Sequence, residues 1–164
     1  MARETVRVYE LRAPIEVVMR PLQSSGLTSY AGVGMTFSRV GGQVSVDPRV
    51  LQSPTRHTLM AVVLASIVLR TPSTATTLGD YERERQAAIR EVNAKAVEVL
   101  VKVRGVPEVE AWHSVYTWLL AQHRTSGRRP GAAGSLAPCD QIRDLLARYP
   151  PHREWSPRPE CAPE

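Results

Sequence analysis

Lysine is almost missing from this chain. Of its 21 basic residues only Lys95 and Lys102 are lysines, the other 19 being arginines, and they stand against 16 acidic residues for a formal net charge of +5. With 13 prolines in 164 residues, the arginine bias reads as the mark of a GC-rich coding sequence, so arginine content alone does not announce a nucleic-acid partner. The excess is thinly spread: +3 over residues 1–60 (7 basic, 4 acidic), +1 over 61–125 (8 and 7) and +1 over 126–164 (6 and 5). Chains that grip a polyanion gather charge on one face, and the one adjacent pair in a Gly/Pro setting is Arg128-Arg129. A histone-like polycation is excluded, and a shallow basic surface near Arg7, Arg12 and Arg20 is what remains.

Long apolar runs are also lacking. The longest, Leu59 to Leu69 broken by Ser66, is too short to span a bilayer, and the opening Met-Ala-Arg-Glu is not followed by a secretory leader pattern. The expectation is a cytoplasmic chain with no membrane partner. Cysteine is scarce: Cys139 and Cys161 lie late, in proline-rich surroundings, and neither has another Cys or a His at local ligand spacing. They are expected to be free thiols in a reducing compartment. Of the four histidines (57, 113, 123 and 152), only His113 and His123 share a predicted helix, ten residues apart, which is too far for a local metal pair. Gly32-Val-Gly34 has neither the third glycine nor the following helix of a phosphate loop. No cofactor is expected.

What is present suits an ordinary globular domain, with 43% hydrophobic and 23% charged residues. A chain of this size buries roughly two-thirds of its unfolded surface, so its core needs no staple. Over residues 4–20 the alternation of Val6 and Val8 suits a strand, while Pro14 followed by Ile15 to Met19 suits a short helix. Gly41-Gly42, between Met35–Ser38 and Gln43–Val46, signals a β-hairpin. Asp47-Pro48 closes its second strand, and Ser53-Pro54 offers an N-cap with proline at the first helical position. Residues 55–70 are apolar on nearly every side, which demands a central, buried helix. Residues 79–104 form a long amphipathic helix, with Ala88, Val92, Val99 and Val103 on its apolar stripe and Glu91/Lys95 and Glu98/Lys102 at pairing distance. Gly105 ends that helix, and Pro107 starts another reaching about His123.

The fold class expected is α+β and mostly helical: a short antiparallel β-hairpin or sheet on a buried central helix, two long helices, and a C-terminal helix. One domain covers 1–126, a flexible Gly/Arg linker 127–138, the last helix 139–149, and a loose Pro-rich tail 150–164. Trp112, Tyr116 and Trp118 crowd one helix. Trp112 and Trp118 lie about 240° apart around it, so they cannot share one face. Packing on Ile142, Leu145 and Leu146, or an exposed aromatic interface, are the two outcomes.

The order of hairpin, buried helix, loop and second helix, with Val44-Ser-Val46-Asp47-Pro48 before the first helix and Glu91, Asn93, Ala96 and Leu100 in the second, resembles the zinc-dependent metallopeptidases of the ImmA/IrrE type. These occur in mobile-element immunity regions and radiation-response regulators. The resemblance covers about residues 30–104. In that family the first helix bears His-Glu-x-x-His. If Leu64-Ala65 takes the middle of that motif, Val62, Val63 and Ser66 stand in place of the first histidine, the general base and the second histidine. Zinc catalysis needs two imidazoles a helical turn apart and a carboxylate to take the water's proton. Two valines and a serine supply neither, and Glu91 alone cannot hold the ion. The resemblance implies a pseudoenzyme with vestigial positions Val62, Val63, Ser66 and Glu91.

Setting the resemblance aside, Glu91 is equally well a member of a solvated charged stripe with Glu84 and Glu98, and Val62 and Val63 need be no more than core. The first expectation for function is a non-catalytic, pseudopeptidase-like interaction protein, encoded by a phage or other mobile element and binding a protein regulator. The alternative is a nucleic-acid-associated accessory protein contacting its partner through Arg7, Arg12, Arg20, Arg128 and Arg129. A third reading, an enzyme, requires Glu84, Glu91 and His113 to converge.

Overall fold

The computed structural model describes residues 1–12, 14–20, 29–30, 33–38, 41–69, 74–126, 136–148 and 161. In chain order these form α1 (Ala2–Val8), β1 (Ile15–Met19), β2 (Ser29–Tyr30), β3 (Val33–Ser38), β4 (Gly41–Val46), a 3-10 turn (Pro48–Gln52), α2 (Arg56–Val68), α3 (Leu78–Arg104), α4 (Glu108–Ser126) and α5 (Pro138–Arg148). The class is α+β and mostly helical.

The apolar sequence of α2 places it at the centre, since a helix without a polar face must be enclosed. Leu59, Ala61, Val62, Val63, Leu64 and Ala65 are all buried. α3 is its main neighbour, and α4 and the 3-10 turn also touch it. Ser53 does not cap α2. The N-cap is Thr55, whose N–H donates to Ser53 Oγ. The Asp-Pro step before it makes the 3-10 turn, with Asp47 as N-cap and Pro48 first. The buried Asp47 carboxylate accepts from the Arg49 N–H and Nε, both at 2.9 Å, and from Nη2 at 2.6 Å.

The sheet has the order β1-β4-β3-β2. The expected hairpin is there as β3 and β4, antiparallel from Val33↔Val46 to Ser38↔Gly41. Gly41 and Gly42 belong to β4 and not to the turn. The sheet as a whole is mixed, because β1 lies parallel to β4 from Ile15↔Gly42 to Met19↔Val46. β4 is therefore an inner strand, with Val44, Ser45 and Val46 at 0, 2 and 1% exposure.

The first twenty residues reverse both expectations, helix coming first and strand second. α1 ends in a Schellman arrangement: Leu11 N–H donates to Val6 O, Glu10 N–H donates to Arg7 O, and Glu10 takes φ +49°. A glycine there would have announced the helix end; glutamate hides it. Ile15 to Met19 is rich in β-branched residues, and parallel pairing with β4 satisfies its backbone.

α3 runs from a Thr77 cap, whose hydroxyl accepts the Asp80 N–H, to Gly105 in the left-handed region at φ +68°. Its buried side is Asn93, Ala96, Val97, Val99 and Leu100. Val92 and Val103 are half-buried and Ala88 is exposed, so the stripe is rotated from the one the valine spacing suggests.

α5 is part of the same core. Ile142 and Leu145 are buried, with Leu146 packed beside them, and the helix lies on α3 and α4. The expected linker at 127–138 falls mostly outside the described residues, as does most of 150–164. Cys161, however, is 3% exposed and disulfide-bonded to Cys139, with the two Cα atoms 5.1 Å apart. The expectation of two free thiols is corrected. Local spacing could not show the pair, because tertiary packing of α5 brings the two residues together. Among the described residues no helix is long and apolar enough to cross a membrane.

α1 is fastened to α3 through Tyr9, whose ring carries Lys95 Nζ at 5.4 Å and Lys102 Nζ at 5.9 Å from its centroid. Both lysines also pair with Glu98. Burial first, and then the Glu98 carboxylate, push the Tyr9 hydroxyl from 10.0 up to about 12. A raised phenol pKa means that the unfolded chain loses this proton first. The contribution is intact below pH about 10 and is lost as pH rises toward 12. Ultraviolet titration of a variant keeping Tyr9 as its sole tyrosine should show a midpoint well above that of the same chain in denaturant. Truncating α2 at its most enclosed leucine, Leu64→Ala, should cost about 2–5 kcal/mol, measured by urea unfolding with an unchanged slope.

Candidate functional site

The positions aligned with the metallopeptidase motif do not form a shared opening. Val62 and Val63 are core residues at 2 and 0% exposure. The Ser66 hydroxyl donates to the Val62 carbonyl at 3.0 Å, within its own helix. Glu91 is exposed on α3, and its carboxylate accepts from Arg148 Nη2 on α5 at 2.7 Å. That hydrogen bond is the main influence holding the Glu91 carboxyl below its usual range, against a smaller opposing effect of burial; the charges of Arg148 and Lys95 add to it. The expected Glu91/Lys95 pair gives way to this one, while Glu98/Lys102 forms at 2.7 Å. The other α3 residues of the pattern turn inward. Ala96 and Leu100 are core, and Asn93, 5% exposed, donates from Nδ2 to Gln141 Oε1 of α5 at 2.9 Å. The far end of the pattern therefore serves to dock α5.

The enzyme reading required Glu84, Glu91 and His113 to converge in a pocket. Glu84 accepts from the Thr74 hydroxyl at 2.9 Å, while Glu91 and His113 are both exposed.

The aromatic trio is interior. Trp112, Tyr116 and Trp118 are 1, 7 and 4% exposed, which corrects the idea of an exposed interface. The 240° separation is real, but α4 is covered on two sides. Trp112 lines a small cavity with Asn93 and Ala94 of α3 and Gln141 and Leu145 of α5. Trp118 lines a groove with Asp47, Ser53, Thr55 and Leu59 at the 3-10 turn.

Of the arginines, Arg7 is engaged with Glu4 of its own helix, and Arg128 and Arg129 lie outside the described residues. Arg12 and Arg20 are exposed at the two ends of β1. Between them lies a feature that residue pattern alone did not single out. β1 is an outer strand of the sheet, and Val17 and Met19 are in register with Val44 and Val46. Residues in register share a face of the sheet. On that face the β4 valines are covered, yet Val17 and Met19 remain 42 and 45% exposed. On the opposite face Glu16 accepts from Gln43 Nε2 at 2.8 Å.

A second feature lies where α4 meets α5. His123 Nδ1 is 3.4 Å from Cys139 Sγ, and the ligand atoms of His123, Cys139 and Cys161 all lie within 4.8 Å of one another. The three residues stand 16 and 22 positions apart along the chain, so no spacing rule would join them.

Comparison with protein-family models, with curated proteins and with solved structures gives no match to this chain.

A site that had merely lost its ligands would tolerate their return. Here Val63→Glu would place a carboxylate at a fully enclosed position of α2, and the expected outcome is a loss of about 3 kcal/mol or more, read by denaturant unfolding. A stable, zinc-binding Val62→His, Val63→Glu, Ser66→His triple variant would be the opposite result.

Proposed function

We propose that this chain is a non-catalytic protein-interaction module that takes an extended, acidic segment of a partner along the outer edge of β1. The observation that carries this reading is the half-exposed Val17 and Met19 on the core face of an outer strand. An open strand edge is a template for pairing, and soluble proteins ordinarily protect it with charge or cover. Arg12 and Arg20 flank this strand, its one charged residue, Glu16, stands on the opposite face, and the core face of Ile15, Val17 and Met19 is apolar. A strand added there would continue the backbone ladder, cover both side chains and set its acidic groups against the two guanidiniums. Main-chain pairing supplies affinity and the alternating side chains supply selectivity.

The reading agrees with the interaction role implied by the metallopeptidase resemblance, including a mobile-element origin and a protein regulator as partner, but it rests on β1 and not on that ancestry. A cytoplasmic setting belongs with the same proposal, although a disulfide is uncommon in a reducing compartment.

The test is a titration with a short peptide of alternating Val and Asp, followed by amide resonances. Shifts confined to residues 15–19 and their β4 neighbours, abolished by Val17→Asp with Met19→Asp, are expected. Shifts elsewhere, or the absence of binding, sink the reading. Salt-sensitive capture of an oligonucleotide in place of the peptide would favour the nucleic-acid alternative.

A further inference from the structure

We propose that His123, Cys139 and Cys161 form a redox-gated site for a thiophilic divalent metal ion, of which zinc is the best fit: closed while the two cysteines are joined, and open to metal once they are reduced. The inference is independent of the β1 edge.

Three elements converge on the site. His123 comes from the last turns of α4, Cys139 from the first turn of α5, and Cys161 from beyond α5. A tetrahedral zinc with sulfur ligands at about 2.3 Å and nitrogen at about 2.0 Å holds its donors roughly 3.3–3.8 Å apart. The Nδ1 to Sγ distance of 3.4 Å already meets this, and all three donor atoms lie within 4.8 Å of one another. Two thiolates and an imidazole are a donor set that zinc favours over the hard, oxygen-seeking cations. A disulfide staple needs only its two sulfurs, so the imidazole against one of them is an addition that stapling does not require.

The surroundings suit metal binding. Cys139 follows Pro138 at the N-terminal end of α5, where helix N–H groups and dipole favour a thiolate. Cys161 is buried and Cys139 packs against the core, so the donors are largely withdrawn from water. α5 is also held without the disulfide: Ile142 and Leu145 are buried, Asn93 binds Gln141, and Arg90 and Glu91 of α3 pair with Asp144 and Arg148. His123 and Cys139 therefore stay in place when the sulfurs part, and two of the three donors are preorganised.

The chemistry balances with a dithiol as reductant. One of its thiolates attacks a sulfur of the Cys139–Cys161 bond, giving a mixed disulfide and releasing the other cysteine. Its second thiol displaces the remaining cysteine and closes the reductant into a cyclic disulfide. Two electrons pass to the protein, and the dithiol's two protons end on Cys139 and Cys161. A divalent ion then displaces those two protons and accepts a lone pair from neutral His123, with water completing the coordination. Exchange with a disulfide oxidant runs the sequence backwards and expels the ion.

The experiment uses the full chain, reduced anaerobically with a phosphine, freed of reductant and titrated with cobalt(II) alone. One equivalent should bind, with the intense visible bands of a tetrahedral site and a thiolate-to-cobalt charge-transfer band, and added zinc should abolish both. The oxidised chain should show neither. His123→Ala should lose the tetrahedral bands. Cys139→Ser with Cys161→Ser should lose the charge-transfer band, and circular dichroism of that variant shows whether the fold survives without the cross-link. If reduced wild type develops no charge-transfer band, folded or not, or if His123→Ala binds cobalt as wild type does, the proposal is overturned and the pair is a cross-link only.

Discussion

Everything in this fold answers to the burial of α2. A helix with Leu59, Val62, Val63 and Leu64 pointing in different directions cannot rest on a surface, because any uncovered side would leave apolar area in water at about 25 cal/mol per Å². Enclosing it takes α3 along its length, with α4 and the 3-10 turn closing further sides. These demands bear on the two-sided burial of α4, which packs against α2 as well as α3 and α5. Trp112 and Trp118, impossible to reconcile with a single core face, follow once α4 is seen as a wall between neighbours.

The interior that results is divided by chemistry. Around α2 it is mainly apolar, with Thr58 of the helix itself and Asp47 of the 3-10 turn as buried polar groups. At the joint of α3 with α5 it becomes polar at the margin, with the Asn93–Gln141 hydrogen bond inside and the Glu91–Arg148 and Arg90–Asp144 pairs outside. The exposed pairs contribute little stability individually, each within about 1 kcal/mol. Their value is directional, since a helix held only by Ile142 and Leu145 could slide, and these contacts fix its register on α3.

How far the sequence discloses this depends on whether the deciding interaction is local. The long helices are legible because their signals lie within them: continuous apolarity in α2, the Glu98/Lys102 spacing in α3, and Gly105 in the left-handed conformation at its end. The hairpin is legible for the same reason. α1 and β1 are not. The stop of α1 is made by a glutamate at φ +49°, a residue type that carries no stop signal, and the strand identity of Ile15–Met19 depends on a partner 27 positions later, as in Glu16 and Gln43. The candidate sites sit at the far end of this scale. β1 is an outer strand of the described sheet only because β4 took an inner place, and the His123–Cys139–Cys161 group exists only because α5 packs on α4 and Cys161 joins Cys139. Val62, Val63 and Glu91 show the converse: a motif alignment along the chain says nothing about which side of a helix a residue faces.

The parallel pairing of β1 with β4 also has a meaning in time. A chain emerging from its N-terminus makes β1 well before the strand that will hold it, and the nearer-neighbour pairing of β3 with β4 closes the shorter loop. Loop closure favours formation of that hairpin before β1 pairs with the flank of β4. Among the described strands, β1 is thus an outer strand whose partner comes late in the chain. A partner segment present at synthesis would meet a two-sided template, which a partner arriving later would not.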